Sequence, residues 1–402
     1  MTPVFLVLNS GSSSLKFQIF DAKDTGEANR IFRGLFEGLG RKPRFKATNA
    51  KGEVIAQSSW GAGDEMRHEQ ALNHLASWLR EHSLGFMLAG VGHRVVHGGK
   101  AYFKPVKIDE ATLEALERLV PLAPLHQPHN LEPIRILRRR FPELAQIACF
   151  DTAFHHGQPE LAQLFAIPRH MSEAGVKRYG FHGLSYAYLA SIFKNYDSKL
   201  ANGRVIAAHL GNGASLCAIK NGASVATTMG FSALDGLPMG TRCGNLDPAV
   251  VFYMIREMKL GFEDAERLLY SESGLLGVSG ISNDMRELRA QAATNTRARL
   301  AIDLFVYRIG REIGSLIAAL GGIDALIFTA GIGENDVATR AEVIQGAAWA
   351  GFELDPDANA KGGPKITRGS GPAAWVIHTD EELMIARDMR TMLGEIGCRA
   401  TA

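Results

Sequence analysis

The sequence predicts an α/β fold built from two similar halves. Short apolar runs typical of strands alternate along the 402 residues with segments in which apolar residues recur at helical spacing. Two strand pairs share one pattern: an apolar run, a turn of small residues and a second apolar run. They lie about half the chain apart, which indicates an internal duplication. The chain is long enough for two or three domains.

Strands are predicted from short apolar runs bounded by turn residues. They cover residues 4–8, 15–20, 91–96, 147–150, 205–210, 216–219, 326–330 and 374–377. Apolar residues recur at i, i+3 and i+7 in residues 72–79 and 113–120, which predicts a helix in each segment. Asp109 is the expected N-cap of the second helix. Asp247-Pro248 has the pattern of a helix start. A longer helix, broken once, is predicted over about residues 283–320.

The repeated hairpin is the main evidence for two halves. Residues 5–20 predict two strands around the turn NSGSSS, and residues 205–219 predict two strands around GNGAS. Two unrelated hairpins would give the same pattern, so that alternative stays open. No Pro- or Ser-rich linker separates the halves, and we expect them to pack closely around a cleft. The predicted domains are 1–150 and 151–382, with a C-terminal helix 383–402 returning to the first.

Composition excludes several classes of protein. There are 44 Lys and Arg against 42 Asp and Glu, too balanced for nucleic-acid binding through a basic surface. The four cysteines form no C-x-x-C pair, which favours reduced thiols and a cytoplasmic location. The N-terminus has no basic segment before its short apolar run, which favours a strand over a signal peptide. The apolar stretch 315–333 contains Gly321, Gly322 and Asp324, which favours a helix followed by a strand over a membrane span.

Three turns of small residues follow apolar runs, at residues 9–14, 211–215 and 331–335. Such turns point several backbone N–H groups at one place, which suits a phosphate. None matches the Walker or dinucleotide-binding pattern. Each alone is compatible with an ordinary hairpin, but three together favour a nucleoside triphosphate.

Residues 93–99 (HRVVHGG) place charged and apolar side chains together. Strand alternation puts Arg94 and Val96 on one face, a cation beside a small apolar wall, which suits a short carboxylate with an alkyl tail. His93 and His97 have a spacing that suits zinc on a helix, but the strand prediction argues against that site. Residues 155–156 (HH) are expected on the solvated surface.

Seven segments in order resemble the acetokinase family, the acetate kinases. They are residues 9–17 (NSGSSSLKF), 93–99 (HRVVHGG), 150–155 (FDTAFH), 178–183 (RYGFHG), 209–213 (HLGNG), 239–242 (MGTR) and 331–335 (GIGEN). The match runs from Val4 to beyond Glu382. It implies two duplicated actin-like ATPase (ASKHA, ribonuclease-H-like) domains around a central cleft, and a homodimer. It also implies reversible phosphoryl transfer from ATP to acetate.

The resemblance implies roles for individual residues. Arg94 and Arg242 would hold the carboxylate and the transferring phosphoryl group, and His182 would stabilise the transition state. Asp151 would orient or deprotonate at the reacting centre, and His126 matches a further active-site histidine. We expect direct in-line transfer, because acetate is already ionised and needs charge screening more than a base.

The resemblance also implies the cofactor sites. Asn9 and Glu381 would act on Mg²⁺ (or Mn²⁺), directly or through water. ATP or ADP would be surrounded by Lys16, His209, Leu210, Gly211, Asn212, Gly213, Asp284, Met285, Arg286, Gly331, Ile332, Gly333, Glu334 and Asn335.

The acyl pocket implied by the resemblance consists of Val96, Leu125, Phe181 and Ala233. The family usually has Pro where this chain has Ala233, so the wall is less rigid and the preference among acetate, propionate and butyrate stays open. A non-catalytic ATP-binding switch of the same superfold is a further alternative. It would have no use for two arginines and a histidine around a small apolar pocket. A pyrophosphate-dependent kinase is less favoured, because the glycines of 331–335 leave room for adenine.

Overall fold

The computed structural model of the chain describes residues 1–23, 30–61, 64, 66–82 and 85–399, with side chains described as far as residue 394. Residues 400–402 of the predicted C-terminal helix lie outside the described part. The strands are β1 (Thr2–Ser10), β2 (Ser14–Asp21), β3 (Arg30–Glu37), β4 (Arg44–Asn49), β5 (Val54–Ser59), β6 (Phe86–Val95), β7 (Val106–Lys107), β8 (Gln146–Phe150), β9 (Arg204–Leu210), β10 (Ala214–Lys220), β11 (Ala223–Thr227), β12 (Ala325–Thr329) and β13 (Ala373–Val376). The α-helices are α1 (His68–His82), α2 (Glu110–Glu117), α3 (Gln127–Arg140), α4 (Glu160–Gln163), α5 (Arg169–Ala174), α6 (Gly183–Ile192), α7 (Pro248–Arg256), α8 (Phe262–Ser271), α9 (Gly274–Ser279), α10 (Met285–Gln291), α11 (Thr296–Leu320), α12 (Ala330–Asn335), α13 (Val337–Gly346), α14 (Pro356–Ala360) and α15 (Glu381–Arg399).

The chain divides into two compact units. The first unit is Met1–Ala153 with Asp380–Ala402, and the second unit is Phe154–Thr379. The sheet of the first unit has the strand order β5-β4-β3-β2-β1-β6-β8-β7. Within it β1 pairs antiparallel with β2 and parallel with β6, and β6 pairs parallel with β8.

The sheet of the second unit repeats the central part of this topology. Its order is β11-β10-β9-β12-β13, with β9 antiparallel to β10 and parallel to β12, and β12 parallel to β13. In both sheets the first strand of the hairpin lies at the centre, between its antiparallel partner and the next parallel strand. The predicted α/β fold class with two duplicated halves is therefore confirmed.

Both predicted hairpin turns form. The Gly11 N–H donates to the Ser14 carbonyl at 2.9 Å, and the Gly211 N–H donates to the Gly213 carbonyl at 3.0 Å. The third predicted turn, residues 331–335, is wrong in its conformation because these residues form the short helix α12. The first residue of α12, Ala330, follows β12 directly and has a φ of 64°, in the left-handed region that residues other than glycine rarely adopt.

The predicted helix starts are confirmed by side-chain caps. Asp109 accepts a hydrogen bond from the Thr112 N–H at 2.8 Å, and Asp247 accepts one from the Ala249 N–H at 2.9 Å. The long predicted helix is broken once, between α10 and α11. Asn295 caps the second part, so the break has a local cause in the sequence.

The C-terminal helix α15 packs against β1 and β6 of the first unit. Glycines on β6 permit this approach, because a Cβ on Gly92 would lie 2.5 Å from Ile385 and 2.6 Å from Met389. On β8, the neighbour of β6 in the same sheet, buried Cys149 forms a hydrogen bond with Asp388 of α15. Within the described residues no helix is both long enough and apolar enough to cross a membrane.

Candidate active site

An arginine–aspartate pair lies at the ends of neighbouring strands in the first unit. Arg94 comes from β6, and Asp151 directly follows β8, the parallel neighbour of β6. Arg94 Nε and Nη2 donate to the two carboxylate oxygens of Asp151 at 2.9 and 2.6 Å. This two-point contact fixes the plane of the guanidinium.

Burial and charge act against each other in this pair. Burial raises the pKa of Asp151, and the Arg94 guanidinium opposes that rise. Burial also disfavours charge on Arg94, but the carboxylates of Asp151 and Glu381 raise its pKa overall. Two short, parallel hydrogen bonds of this kind are typical of a guanidinium that binds an ionised carboxylate.

Oxygen-bearing side chains gather beside Arg94 within the same unit. Arg94 Nη1 donates to Asn9 Oδ1 at 3.3 Å and lies 3.6 Å from Glu381 Oε2. Asn9 Nδ2 in turn donates to Glu382 Oε1 at 3.1 Å, and Gln18 Nε2 donates to Glu382 Oε2 at 3.2 Å. The predicted metal residues Asn9 and Glu381 are therefore both close to Arg94. The adjacent Glu382, which the sequence analysis did not single out, is the carboxylate bonded to Asn9.

The segment after β6 is held by the start of α3. The Val96 N–H donates to Asn130 Oδ1 at 2.9 Å, and Asn130 Nδ2 donates to the Ser10 carbonyl at 2.6 Å. His126 is the residue before α3, and Leu125 beside it is 42% exposed. Asn130 thus connects the predicted pocket residue Val96 to the end of β1. No sequence motif marked it.

His182 occupies a strained position at the start of α6 in the second unit. Its φ of 56° is in the left-handed region that residues other than glycine rarely adopt. Ser215 Oγ lies 2.8 Å from His182 Nδ1 and 2.5 Å from the Tyr186 hydroxyl. The His182 ring also stacks on His209, with centroids 4.1 Å apart. The ring is thereby oriented from two sides.

His155 supports the segment that carries His182. Its ring lies 2.9 Å from the Phe181 carbonyl and 2.8 Å from Ser224 Oγ, and burial lowers its pKa to about 4. The expectation that residues 155–156 are solvated surface is therefore wrong for His155. Phe181, predicted for the acyl pocket, is fully buried beside it.

Arg242 and His182 converge at Gly213. A Cβ on Gly213 would lie 3.0 Å from Arg242 Nη2 and 3.3 Å from His182 Nε2. Arg242 Nη1 donates to the Ala233 carbonyl at 2.6 Å. The predicted pocket residue Ala233 therefore contacts the predicted phosphoryl-binding arginine through its backbone.

A pocket of about 910 Å³ adjoins the turn of the β9–β10 hairpin. It is lined by Gly211, Asn212, Asn283, Asp284, Met285, Arg286, Arg289, Gly331, Ile332, Asn335 and Asp336. Three of these residues, Asn283, Arg289 and Asp336, were missed by the sequence analysis. Arg289 bonds Asp336 at 3.1 Å and Glu342 at 2.7 Å, which links α10 to α13 at the wall of the pocket.

The other predicted nucleotide residues lie outside this lining. They are Lys16, His209, Leu210, Gly213, Gly333 and Glu334. Lys16 is exposed on β2 in the first unit and lines a separate pocket of about 520 Å³. His209 bonds Ser185 at 2.9 Å, and Leu210 is fully buried at the end of β9.

Glu334 braces the turn after β12. Its carboxylate accepts a hydrogen bond from the Ala330 N–H at 2.8 Å and another from the Thr379 N–H at 3.2 Å. His378 Nδ1 lies 2.7 Å from its second oxygen. The contacts of Glu334 therefore hold the strained residue Ala330 in place at the junction of β12 and α12.

The sequence profile of the acetokinase family matches residues 4–387. The chain belongs to the acetokinase family. An acetate kinase from Nitrobacter hamburgensis is 49% identical over 389 residues, with 96% of each chain covered.

Solved structures of this family have the same fold. A propionate kinase from Francisella tularensis superposes with a TM-score of 0.88 at 35% identity, covering 96% of this chain and 99% of the other. An acetate kinase from Porphyromonas gingivalis superposes with a TM-score of 0.85 at 36% identity, covering 97% of this chain and 100% of the other. The predicted family membership and duplicated fold are confirmed by these likenesses.

Proposed function

We propose that the chain catalyses the reversible transfer of the γ-phosphoryl group of ATP to acetate, giving acetyl phosphate and ADP. The observation that carries this proposal is the convergence of Arg242 and His182 Nε2 at Gly213. Gly213 closes the same turn whose Gly211 and Asn212 line the large pocket. Two donors beside a nucleotide-sized pocket suit a phosphoryl group in transfer.

Arg94 suits the binding of a substrate carboxylate. A guanidinium has five N–H donors, and the described contacts with Asp151 and Asn9 use three of them. The remaining donors keep the orientation imposed by Asp151. Val96, two residues along, supplies an apolar surface.

The chemistry needs charge screening more than proton transfer. Acetate is ionised at neutral pH, and its attack brings an anion toward a second anion. In the second unit, Arg242 and His182 would stabilise the phosphoryl oxygens of a loose, in-line transition state, and in the first unit Arg94 would bind the carboxylate. We propose direct transfer without a phosphorylated enzyme. Inversion at a chiral thiophosphate is the expected result, and net retention would contradict it.

The donors beside Arg94 suit a magnesium ion. Mg²⁺ prefers oxygen ligands, and Asn9 and Glu381 offer an amide oxygen and a carboxylate, with Glu382 adjacent. Asn9 and Glu381 would hold the ion directly or through water. Bound Mg²⁺ would neutralise charge on the phosphate oxygens of ATP.

The pocket of the second unit suits the nucleotide. Its volume falls in the range of small-molecule sites, and glycines at 211 and 331 let a ligand approach the backbone. Arg286 at its rim is 90% exposed and forms an ion pair with Asp284. That cation can contact phosphate or ribose oxygens.

Hydroxylamine trapping of acyl phosphate, with Mg²⁺–ATP and acetate, propionate or butyrate in parallel, tests the proposal. We expect acetate to be favoured more than tenfold in kcat/KM. A propionate preference would retain the mechanism and make the enzyme a longer-chain kinase. Such a shift is compatible with Ala233 and with roughly 10–200-fold selectivity per methylene. Absence of product with all three acids would overturn the proposal and favour a non-catalytic ATP-binding protein.

Arg242→Ala separates catalysis from folding in the same assay. We expect turnover to fall by on the order of 10²–10³, since one preorganised donor is lost. Turnover like that of the wild type would remove Arg242 from the site. Circular dichroism checks that the variant is folded.

We also propose that the chain forms a cytoplasmic homodimer. Helix α7 buries none of its residues, and Phe252 and Tyr253 on it are exposed. Phe262 at the start of the contacting helix α8 is exposed as well. Light scattering on the purified chain should give twice the chain mass, and Tyr253→Asp with Phe262→Asp should give a monomer. A monomeric wild type would contradict the homodimer.

A further inference from the structure

A second cluster of metal-ligating side chains lies in the first unit. Among the described residues, His68, His129 and Glu132 offer ligand atoms that all lie within 4.8 Å of one another. His68 begins α1, and His129 and Glu132 are three residues apart on α3 and therefore share a face. The proposed catalytic chemistry uses none of the three.

The hydrogen bond of His68 fixes which ring nitrogen faces the cluster. Nε2 lies 2.8 Å from the Gly11 carbonyl, which can only accept, so Nε2 carries the proton. In the neutral ring, Nδ1 then presents its lone pair to Glu132 Oε2, 3.2 Å away. Two acceptors at this distance need a cation between them, either a proton or a metal ion.

His129, the third member of the cluster, favours a metal ion over a proton between His68 and Glu132. His129 adds a third possible ligand atom within 4.8 Å of the other two, and its ring stacks on that of His68 with centroids 5.9 Å apart. On a tetrahedral Zn²⁺, ligand atoms at about 2.0–2.1 Å from the ion are about 3.3–3.4 Å apart. The His68–Glu132 pair already has this separation, and His129 lies within a short side-chain adjustment of it.

We propose that His68 Nδ1, His129 and Glu132 bind a divalent transition-metal ion of the zinc class, with water in the fourth position. Two imidazoles and one carboxylate form a ligand set typical of Zn²⁺ and Co²⁺ and unlike the oxygen set preferred by Mg²⁺. The Gly11 carbonyl orients the metal-binding ring, as outer hydrogen bonds do in known zinc sites. The Glu132 side chain is 40% exposed, which gives the ion a route from solvent.

The ion would connect three elements around one turn. Gly11 lies in the turn between β1 and β2, and Asn130, between the two ligands on α3, bonds the neighbouring Ser10 carbonyl. Metal binding would therefore stiffen the turn that follows Asn9. None of the three ligands takes part in the proposed phosphoryl transfer.

Titration of the chelator-treated chain with Co²⁺, in excess Mg²⁺, tests this site directly. We expect one Co²⁺ per chain with the visible absorption of a tetrahedral ion, competed by Zn²⁺. His129→Ala and Glu132→Gln should each weaken Co²⁺ binding by about 100-fold or more, since outer partners alone contribute roughly 10–100-fold. His170→Ala, which removes an exposed histidine in the second unit, should bind Co²⁺ like the wild type.

The outcomes are distinct from those of the kinase assay. Absence of stoichiometric Co²⁺ binding would overturn the proposal. Binding that survives in both ligand variants would overturn it as well. Both variants alter partly exposed side chains, and their circular dichroism and thermal midpoints without metal serve as folding controls. Co²⁺ should raise the thermal midpoint of the wild type and leave that of His129→Ala unchanged.

Discussion

Replacing Gly213 by alanine should reduce turnover while leaving the fold and the nucleotide site intact. The new methyl group would lie 3.0 Å from Arg242 Nη2 and 3.3 Å from His182 Nε2, closer than ordinary contact. Gly213 is not among the residues with positive φ, so the substitution adds no backbone strain. Both neighbouring side chains are held by hydrogen bonds, His182 to Ser215 and Arg242 to the Ala233 carbonyl, and each must move by a few tenths of an ångström.

The expected magnitude follows from this displacement. Catalytic groups act within about 0.5 Å of their productive position, and a 1 Å error costs about 100-fold. We expect kcat to fall by about tenfold, or about 1.4 kcal/mol in activation free energy. The dissociation constant of ADP should stay within about twofold, because Gly213 is not part of the pocket lining.

Steady-state kinetics, ADP calorimetry and thermal unfolding together test this expectation. Gly346→Ala is the matched control, because no atom lies within 4 Å of its added Cβ and the residue is exposed at the end of α13. It should keep wild-type kcat and gain up to about 1 kcal/mol of stability. Unchanged kcat in Gly213→Ala would show that Arg242 and His182 do not act from these positions.

Three further substitutions have defined outcomes. Burial raises the pKa of Asp388 from 3.8 to about 6. The folded chain therefore holds this proton more tightly than the unfolded chain, and stability falls as pH rises from about 4 to 6. Asp388→Asn should remove this loss and stabilise the chain at pH 7 by about 1–3 kcal/mol in urea unfolding. Asp151→Asn should lower the unfolding free energy by about 3–5 kcal/mol, because a buried pair loses one partner, and should raise the KM for acetate as Arg94 loses its anchor. Arg286→Ala should weaken ADP binding several-fold in calorimetry with no change in thermal midpoint, because its ion pair is exposed.

Each of these expectations has a contradicting result. Equal pH dependence in Asp388→Asn and the wild type would show that this carboxyl titrates normally. An unchanged KM for acetate in Asp151→Asn would separate Arg94 from substrate binding. Unaltered ADP affinity in Arg286→Ala would place the nucleotide away from α10.

Local patterns in the sequence were sufficient to predict the central strands of each sheet. The hairpins β1–β2 and β9–β10 combine apolar runs with small-residue turns, and both signals lie within about fifteen residues. Strands β3 and β4 were missed because their exposed face carries charged residues, among them Arg33 and Lys46, that interrupt the apolar runs. Strand β5 was missed because its apolar run is only three residues long before it becomes polar. The pairing of these strands depends on neighbours distant in sequence.

For the candidate site, sequence motifs predicted individual residues but not the contacts that hold those residues in place. Arg94, Asp151 and His182 were found through family motifs. Ser215 and Asn130, which hold His182 and Val96, were found only through their hydrogen bonds. The bracing role of Glu334 depends on the left-handed backbone at Ala330, which no composition rule predicts at an alanine.

The return of α15 to the first unit has a consequence for synthesis on the ribosome. Ile385 and Met389 cover β6 only after all of Phe154–Thr379 has been translated. At roughly 5–20 residues per second, this delay is on the order of ten seconds or more. The second unit is continuous in sequence and can fold as it emerges, whereas the apolar surface of β1 and β6 stays uncovered until the end. The nascent chain therefore exposes this apolar surface to solvent until α15 has been synthesised.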